Sequence, residues 1–252
     1  MSVWEVCIVA MAGFCSAFIK TGVGIGSGIF LLPILSLAFP AKMALGLGAP
    51  IMLASDTLAM RFYWRQWTEK KEILRLLAAA VPGLIAGTLL LPVISPHGFK
   101  IFVGIFGMAY AISHLFPTLL PVRKFRESLS GINSRIGGNR IYFFGALGGV
   151  ASVLAHAGGL VWSLYLMTTL HDRRVFVGTV VLIFFITNIY KTAAYIAVGT
   201  MAPGALLDIL PTIPVVWLGG FIGDQANKHM NQNFFRQLVL VVIFLVSAKL
   251  CF

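Results

Sequence analysis

Ten apolar stretches follow one another along this chain with little between them, at roughly 3–20, 26–39, 43–62, 73–94, 99–117, 141–155, 158–170, 175–198, 204–223 and 234–251. A helix needs about 20 apolar residues to cross the hydrocarbon of a bilayer. Backbone N–H and C=O groups in lipid must be paired within the protein, and a helix pairs them inside one segment. The pattern therefore predicts an all-α polytopic membrane protein. Composition excludes the soluble alternative: 59% of the 252 residues are hydrophobic, 11% are charged and mean hydropathy is +0.93, whereas soluble domains carry about 25% charged residues. Such a chain has too little polar surface to face water all round.

The formal net charge of +11 is confined almost entirely to the connectors. When the chain alternates between two sides, one side collects Arg61, Arg65, Lys70, Lys71, Arg75, Arg123, Lys124, Arg126, Arg135, Arg140, Arg173, Arg174, Lys228 and Arg236. The other receives only Lys42, Lys100 and Lys249. Basic loops stay cytoplasmic, so the expectation is a multi-pass protein of the cytoplasmic (inner) cell membrane with both termini outside. Basic residues used in this way argue against a nucleic-acid partner. No basic region precedes the first apolar run, which is therefore expected to be retained as a span. Cys7, Cys15 and Cys251 fall in apolar segments without metal-ligand spacing, and no phosphate loop or dinucleotide fingerprint occurs. No metal or cofactor is expected. The expected partners are the lipid bilayer and a small anionic substrate, with a homodimer as a candidate assembly.

The longest connector, residues 118–140, is basic, carries Pro121, Gly131, Gly137 and Gly138, and reads as a cytoplasmic linker between residues 1–117 and 141–252. An ungapped shift of 132 residues aligns the two parts: Gly13 meets Gly145, Gly26 meets Gly158, Gly46 meets Gly178, Tyr63 meets Tyr195, Pro82 meets Pro214 and Gly87 meets Gly219. Coincidence of residues that set backbone geometry, in segments of matching order, marks a duplication. Five segments is an odd number, so the second copy enters from the opposite face. Two five-segment inverted repeats are the architecture of many secondary transporters.

Segments two and seven are too short to span. Each reaches about 20 Å at about 1.5 Å per residue, against about 30 Å of hydrocarbon. Each also follows a glycine-marked break, Lys20-Thr21-Gly22-Val23-Gly24-Ile25-Gly26-Ser27-Gly28 in the first repeat and Ala155-His156-Ala157-Gly158-Gly159 in the second. A broken or re-entrant helix hairpin is thus expected at the start of each repeat. Helix amino ends carry partial positive charge and free N–H donors. Backbone at Gly24, Gly26, Ser27, Gly28, Gly158 and Gly159, with His156 beside it, is accordingly the candidate anion site near the midplane. Glycines that merely let helices approach closely are the plainer alternative.

Ionisable residues within membrane segments are costly and usually functional. Lys20 lies at the first break, Asp56 is in mid-segment with Asn188 as its repeat mate, and Lys191 is far from either end of segment eight. A lysine and an aspartate in one bundle suggest an ion pair, or a substrate-binding cation beside a titratable carboxylate. Lys191 and Asn188 join the candidate substrate site; Lys20 and Asp56 are candidates for proton coupling or an ion pair.

Gly24-Ile25-Gly26-Ser27-Gly28 followed by Pro33, the matched Gly158-Gly159, and Asn188…Lys191…Tyr195…Gly199 resemble the sulfite exporter TauE/SafE family, over nearly the whole chain. The resemblance implies transport of sulfite, sulfoacetate or other small organosulfonates, with the glycine breaks and the Asn188/Lys191 pair near the substrate. A competing class is an intramembrane serine protease of rhomboid type, with Ser27 and His156 as a dyad. A passive anion channel is a third.

Overall fold

The computed structural model describes residues 2–22, 27–115, 139–170, 172–229 and 232–251, and those residues contain helices and no strand. In chain order the helices are α1 (Val3–Gly22), α2 (Ser27–Leu35), α3 (Ala41–Phe62), α4 (Lys70–Val93), α5 (Pro96–Leu115), α6 (Arg140–Ala155), α7 (Gly158–Thr169), α8 (Arg173–Ala197), α9 (Ala205–Ile209), α10 (Ile213–His229) and α11 (Gln232–Cys251). Gly24, Gly26 and nearly all of the 118–140 linker lie outside the described residues. Five of the described helices are long and apolar enough to cross a membrane. Leu74, Val81, Ile85 and Leu89 on α4, and Trp217, Leu218, Phe221 and Ile222 on α10, are exposed. Apolar side chains turned outward along whole helices find their solvent in lipid.

The short segments are short in the fold as well. Helix α2 has 9 residues and α7 has 12. Ninth in the sequence pattern, the 204–223 stretch is interrupted rather than continuous: α9 ends at a 3-10 turn, Leu210–Thr212, before α10 begins. Pro211 lies within that turn and Pro214 just after it, and a proline cannot donate to the carbonyl one turn back.

Buried in the middle of the bundle are α2 and α3, around which the other helices pair. Helix α1 packs along α10 and α4 packs along α6, while α3 lies against α8 and α5 against α11. Glycines allow the closest of these approaches. A Cβ on Gly83 would strike the backbone of Ala146, and one on Gly87 would come within 2.9 Å of Val153 Cβ. On the other side of the bundle Gly219 and Gly223 lie against the backbone of Phe14 and Phe18 in the same way. Small residues four apart let two backbones meet, which favours association in lipid through van der Waals contact. Thr21 Oγ1 adds a hydrogen bond across the α1–α10 seam to Gly220 O at 2.8 Å.

Local caps fix where the helices begin and end. The Asp172 carboxylate accepts from the amides of Arg174 (2.7 Å) and Val175 (3.0 Å) and caps α8, a device that contributes about 1 kcal/mol. Helix α6 ends without glycine. His156 itself takes the left-handed conformation, φ 51°, with its amide donating to Ser152 O (3.1 Å) and the amide of Ala157 donating to Ala151 O (3.0 Å). That closure satisfies two carbonyls at the helix end, yet a left-handed non-glycine residue costs roughly 1–2 kcal/mol. Something must hold His156 there.

Candidate functional site

What holds His156 is its ring. Nε2 donates to Leu45 O of α3 at 3.0 Å, and Nδ1 accepts from Lys191 Nζ of α8 at 2.9 Å. A carbonyl can only accept, so the proton sits on Nε2, and Nδ1 keeps the lone pair that Lys191 needs. Lys191 Nζ also faces Ser152 O at 3.4 Å. Ser152, His156 and Lys191 are all buried.

The two helix breaks meet at this histidine. Gly28, in the first turn of α2, is so close to His156 that a Cβ there would lie 2.8 Å from His156 Cβ and closer still to its carbonyl oxygen. Gly48 of α3 lies against the imidazole, with a built Cβ 3.1 Å from Cδ2. Gly158 covers Ser152, so that a Cβ on it would lie 2.6 Å from Ser152 Cβ, and Gly159 abuts the Phe184 ring. Glycine at 28, 48, 158 and 159 is thus required by close approach. Two helix amino ends are brought together by the same approach, and the first-turn amides of α2 and α7 have no carbonyl one turn back within their own helix.

A second group of charges lies beside the first. Lys20 Nζ donates to Asp56 Oδ1 at 2.5 Å and to Ser55 Oγ at 3.2 Å, and stands 5.5 Å from the centre of the Phe184 ring. Asn188 Nδ2 donates to the other carboxylate oxygen, Asp56 Oδ2, at 2.6 Å. Both Asp56 oxygens therefore receive a donor, one of them charged, and the pair is sealed, with side chains 1% and 0% exposed. Taking an ion pair out of water costs several kcal/mol per ion, recovered only with good geometry and further hydrogen bonds. Here Ser55 and Asn188 supply those bonds. Lys191 is near enough to Asp56 to feel its charge, but its hydrogen bonds go to neutral acceptors, His156 and Ser152.

Of the residues singled out from sequence, Lys20, Ser27, Gly28, Asp56, His156, Gly158, Gly159, Asn188 and Lys191 converge on this one buried region. Gly24 and Gly26 are outside the described residues. Missed in the sequence were Ser55, Leu45, Phe184 and Ser152. Ser152 carried a signal, since the 132-residue shift makes it the counterpart of Lys20. The Ser27–His156 dyad of a protease does not form, because both ring nitrogens of His156 are committed to Leu45 and Lys191. Among the described residues no group of His, Cys, Asp and Glu could hold a metal ion.

Apolar helices facing outward around a sealed nest of charges define a multi-pass membrane protein of the transporter class. The chain belongs to the sulfite exporter TauE/SafE family, whose model matches residues 9–250. It is similar to a probable membrane transporter protein, YunE, of Bacillus subtilis (strain 168), 20% identical with 97% of each chain covered. No solved structure matches it.

Proposed function

We propose that this protein is a secondary carrier of small sulfur-containing anions such as sulfite, sulfoacetate or other organosulfonates, working in the cytoplasmic membrane. The observation that carries the reading is the buried cluster where the two broken helices meet, in which Lys20 and Lys191 stand against the single carboxylate of Asp56. An anion is the natural counter-ion of such a place. Lys191 supplies charge to it, backbone donors at Ser27, Gly28, Gly158 and Gly159 line it, and His156 and Asn188 complete its wall. Sulfur oxyanions are the substrate class suggested by the family description.

The carrier would work by alternating access, one repeat (1–117) rocking against the other (141–252) about the bound anion. Support for two inverted repeats comes from how the helices pair. Under exchange of the halves, α1 against α10 becomes α6 against α4, while α3–α8 and α5–α11 map onto themselves. The equivalent glycine contacts are those of Gly83 on Ala146 and Gly219 on Phe14. The first repeat thus keeps the offset of 132 in its opening helices but shifts by one further turn in the fourth.

The test is transport of labelled sulfite, sulfoacetate and taurine by the purified protein in proteoliposomes, with counterflow to separate a carrier from a channel. Lys191→Gln is expected to weaken anion affinity roughly tenfold or more, since a hydrogen bond to a charged group contributes about 1.5–3 kcal/mol. Unchanged affinity removes Lys191 from the site; absence of transport of every anion in the panel sinks the reading.

A further inference from the structure

The buried cluster is closed on every side: Lys20, Asp56, Asn188 and Lys191 are each at most 1% exposed. A ligand reaches them only if part of the cover moves, and two connectors at opposite ends of α3 and α8 are built alike. After Tyr63, which caps α3, the chain passes through Arg65 in the left-handed conformation (φ 61°), and the Gln66 amide donates back to Tyr63 O at 3.0 Å. After Tyr195, in the last turn of α8, it passes through Gly199 (φ 73°), and the Thr200 amide donates back to Tyr195 O at 2.8 Å. In each connector the residue after the left-handed one lays its carbonyl on a glycine of the other half. A Cβ on Gly178 would strike Gln66 O, and one on Gly46 would lie 3.0 Å from Thr200 O and 2.9 Å from Met201 Cβ. The 132-residue shift that pairs Tyr63 with Tyr195 also pairs Gly46 with Gly178. The contacts Gly46–Thr200, Asp56–Asn188 and Gln66–Gly178 run forward along one segment and backward along the other. Helices α3 and α8 are therefore antiparallel, with the cluster at mid-length and one seat at each end, about 15 Å away at about 1.5 Å per residue.

We propose that these two seats are the gates of the carrier. The α3–α4 connector, seated through Gln66 on Gly178, closes the cluster from the face that bears the basic linker. The α8–α9 connector, seated through Thr200 on Gly46, closes it from the opposite face. The proposal rests on the anion-carrier reading and deepens it by naming what opens. Each seat joins one half of the chain to the other, so a rocking motion that lifts one presses the other home. With both seated, the structure is the occluded state. Glycine is needed at 46 and 178 because a side chain there would hold the connector off. The first seat is also fastened by the Thr68 amide, which donates to Thr179 Oγ1 at 3.0 Å. Arg65 keeps its left-handed backbone only while the surroundings impose it, so this connector gains a more ordinary conformation when it lifts. The second seat is packed by Met201, which is 2% exposed.

The experiment measures access to the cluster from each face. In a chain whose Cys7, Cys15 and Cys251 are replaced, Ser152→Cys places one thiol at a fully buried position whose hydroxyl makes no hydrogen bond. An impermeant methanethiosulfonate bearing a sulfonate is applied to right-side-out and to inside-out vesicles. Gly178→Ala is expected to speed labelling about tenfold from the face of the basic linker alone, since a methyl forced into a packed contact tips an open–closed balance by about that factor. Gly46→Ala should do the same from the opposite face alone. Should a glycine variant fail to fold, Thr179→Val and Met201→Ala, which loosen the same two seats without adding a group, must give the same two patterns. Acceleration from the same face in both variants, from both faces in either, or no acceleration at all overturns the gates. The carrier reading then still stands on transport by the parent chain. Failure of the parent to transport any anion in the panel sinks the carrier reading and the gates with it.

Discussion

Gly48→Ala is the most direct probe of the site, because its effect follows from one contact. A Cβ at Gly48 would lie 2.5 Å from His156 Nε2 and 3.1 Å from Cδ2. The ring has nowhere to retreat: Nδ1 is held by Lys191 at 2.9 Å, and the His156 backbone rests on Gly28. Forcing a methyl into such packing costs about 1–3 kcal/mol. Losing the His156–Leu45 hydrogen bond, with the imidazole N–H left buried, adds about 1–3 kcal/mol. Alanine in mid-helix returns about 0.5–1 kcal/mol. The net is a destabilisation of about 1–5.5 kcal/mol, or a fall of about 2–20 °C in thermal midpoint for a chain of this size. Thermal unfolding in detergent, followed by tryptophan fluorescence, measures it. Gly204→Ala is the control, since no atom lies within 4 Å of that Cβ. The decisive arm is a His156→Ala background, where the methyl has room and Gly48→Ala should stabilise by about 0.5–1 kcal/mol. An equal cost of Gly48→Ala in both backgrounds would refute the reasoning, because the penalty would then not come from the imidazole.

Two further outcomes are expected. Ser27→Ala should retain anion transport, as His156 offers no free nitrogen to activate a serine; loss of transport, with peptide cleavage by the wild type, would revive the hydrolase class. Orientation is open to labelling in a chain whose Cys7, Cys15 and Cys251 are replaced. An impermeant maleimide added outside right-side-out cells should label His97→Cys, in the first turn of α5, and leave Ser130→Cys in the basic linker untouched; the reverse pattern would invert the topology.

Helix existence and order were legible because hydropathy alone specifies them in lipid. Element ends were less so. Helix α10 runs on to His229 through Asp224, Gln225 and Lys228, polar residues that continue a helix beyond the apolar stretch, so hydropathy stops too early. At the second break, Gly158-Gly159 draws the eye, yet the chain reverses at His156, in a conformation that glycine adopts more readily. No local signal marks this, since the cost is met by Leu45 and Lys191, both distant in sequence. The partner of Asp56 was hidden for a similar reason. Lys191 and Lys20 are both plausible by depth, and only the rotation of α1 and α8 about their axes puts Lys20 on the carboxylate and Lys191 on the histidine. Periodicity cannot supply that rotation when almost every face of a helix is apolar.

The 132-residue offset does supply something that hydropathy lacks. Two residues related by a twofold axis can touch only where the axis passes between them, and Asp56 and Asn188, at that offset, are hydrogen-bonded at 2.6 Å. In the proposed inverted repeat the axis therefore runs through the charged cluster. Lys20 and Lys191 have uncharged counterparts, Ser152 and Ala59, so a symmetric scaffold carries its ionisable residues asymmetrically. Exchange of the pair tests this arrangement. Asp56→Asn alone is expected to cost about 3–5 kcal/mol, because Lys20 loses its buried partner. In Asp56→Asn/Asn188→Asp the carboxylate moves across the axis but stays in the same buried cluster as Lys20, where two charges a few ångströms apart still attract by about 2–4 kcal/mol at an effective dielectric of about 20. The exchanged variant should therefore recover much of the stability lost by the single one, as read from denaturation midpoints. If it is no more stable than Asp56→Asn, the two side chains do not face each other across a common axis, and the repeat loses its place in the mechanism.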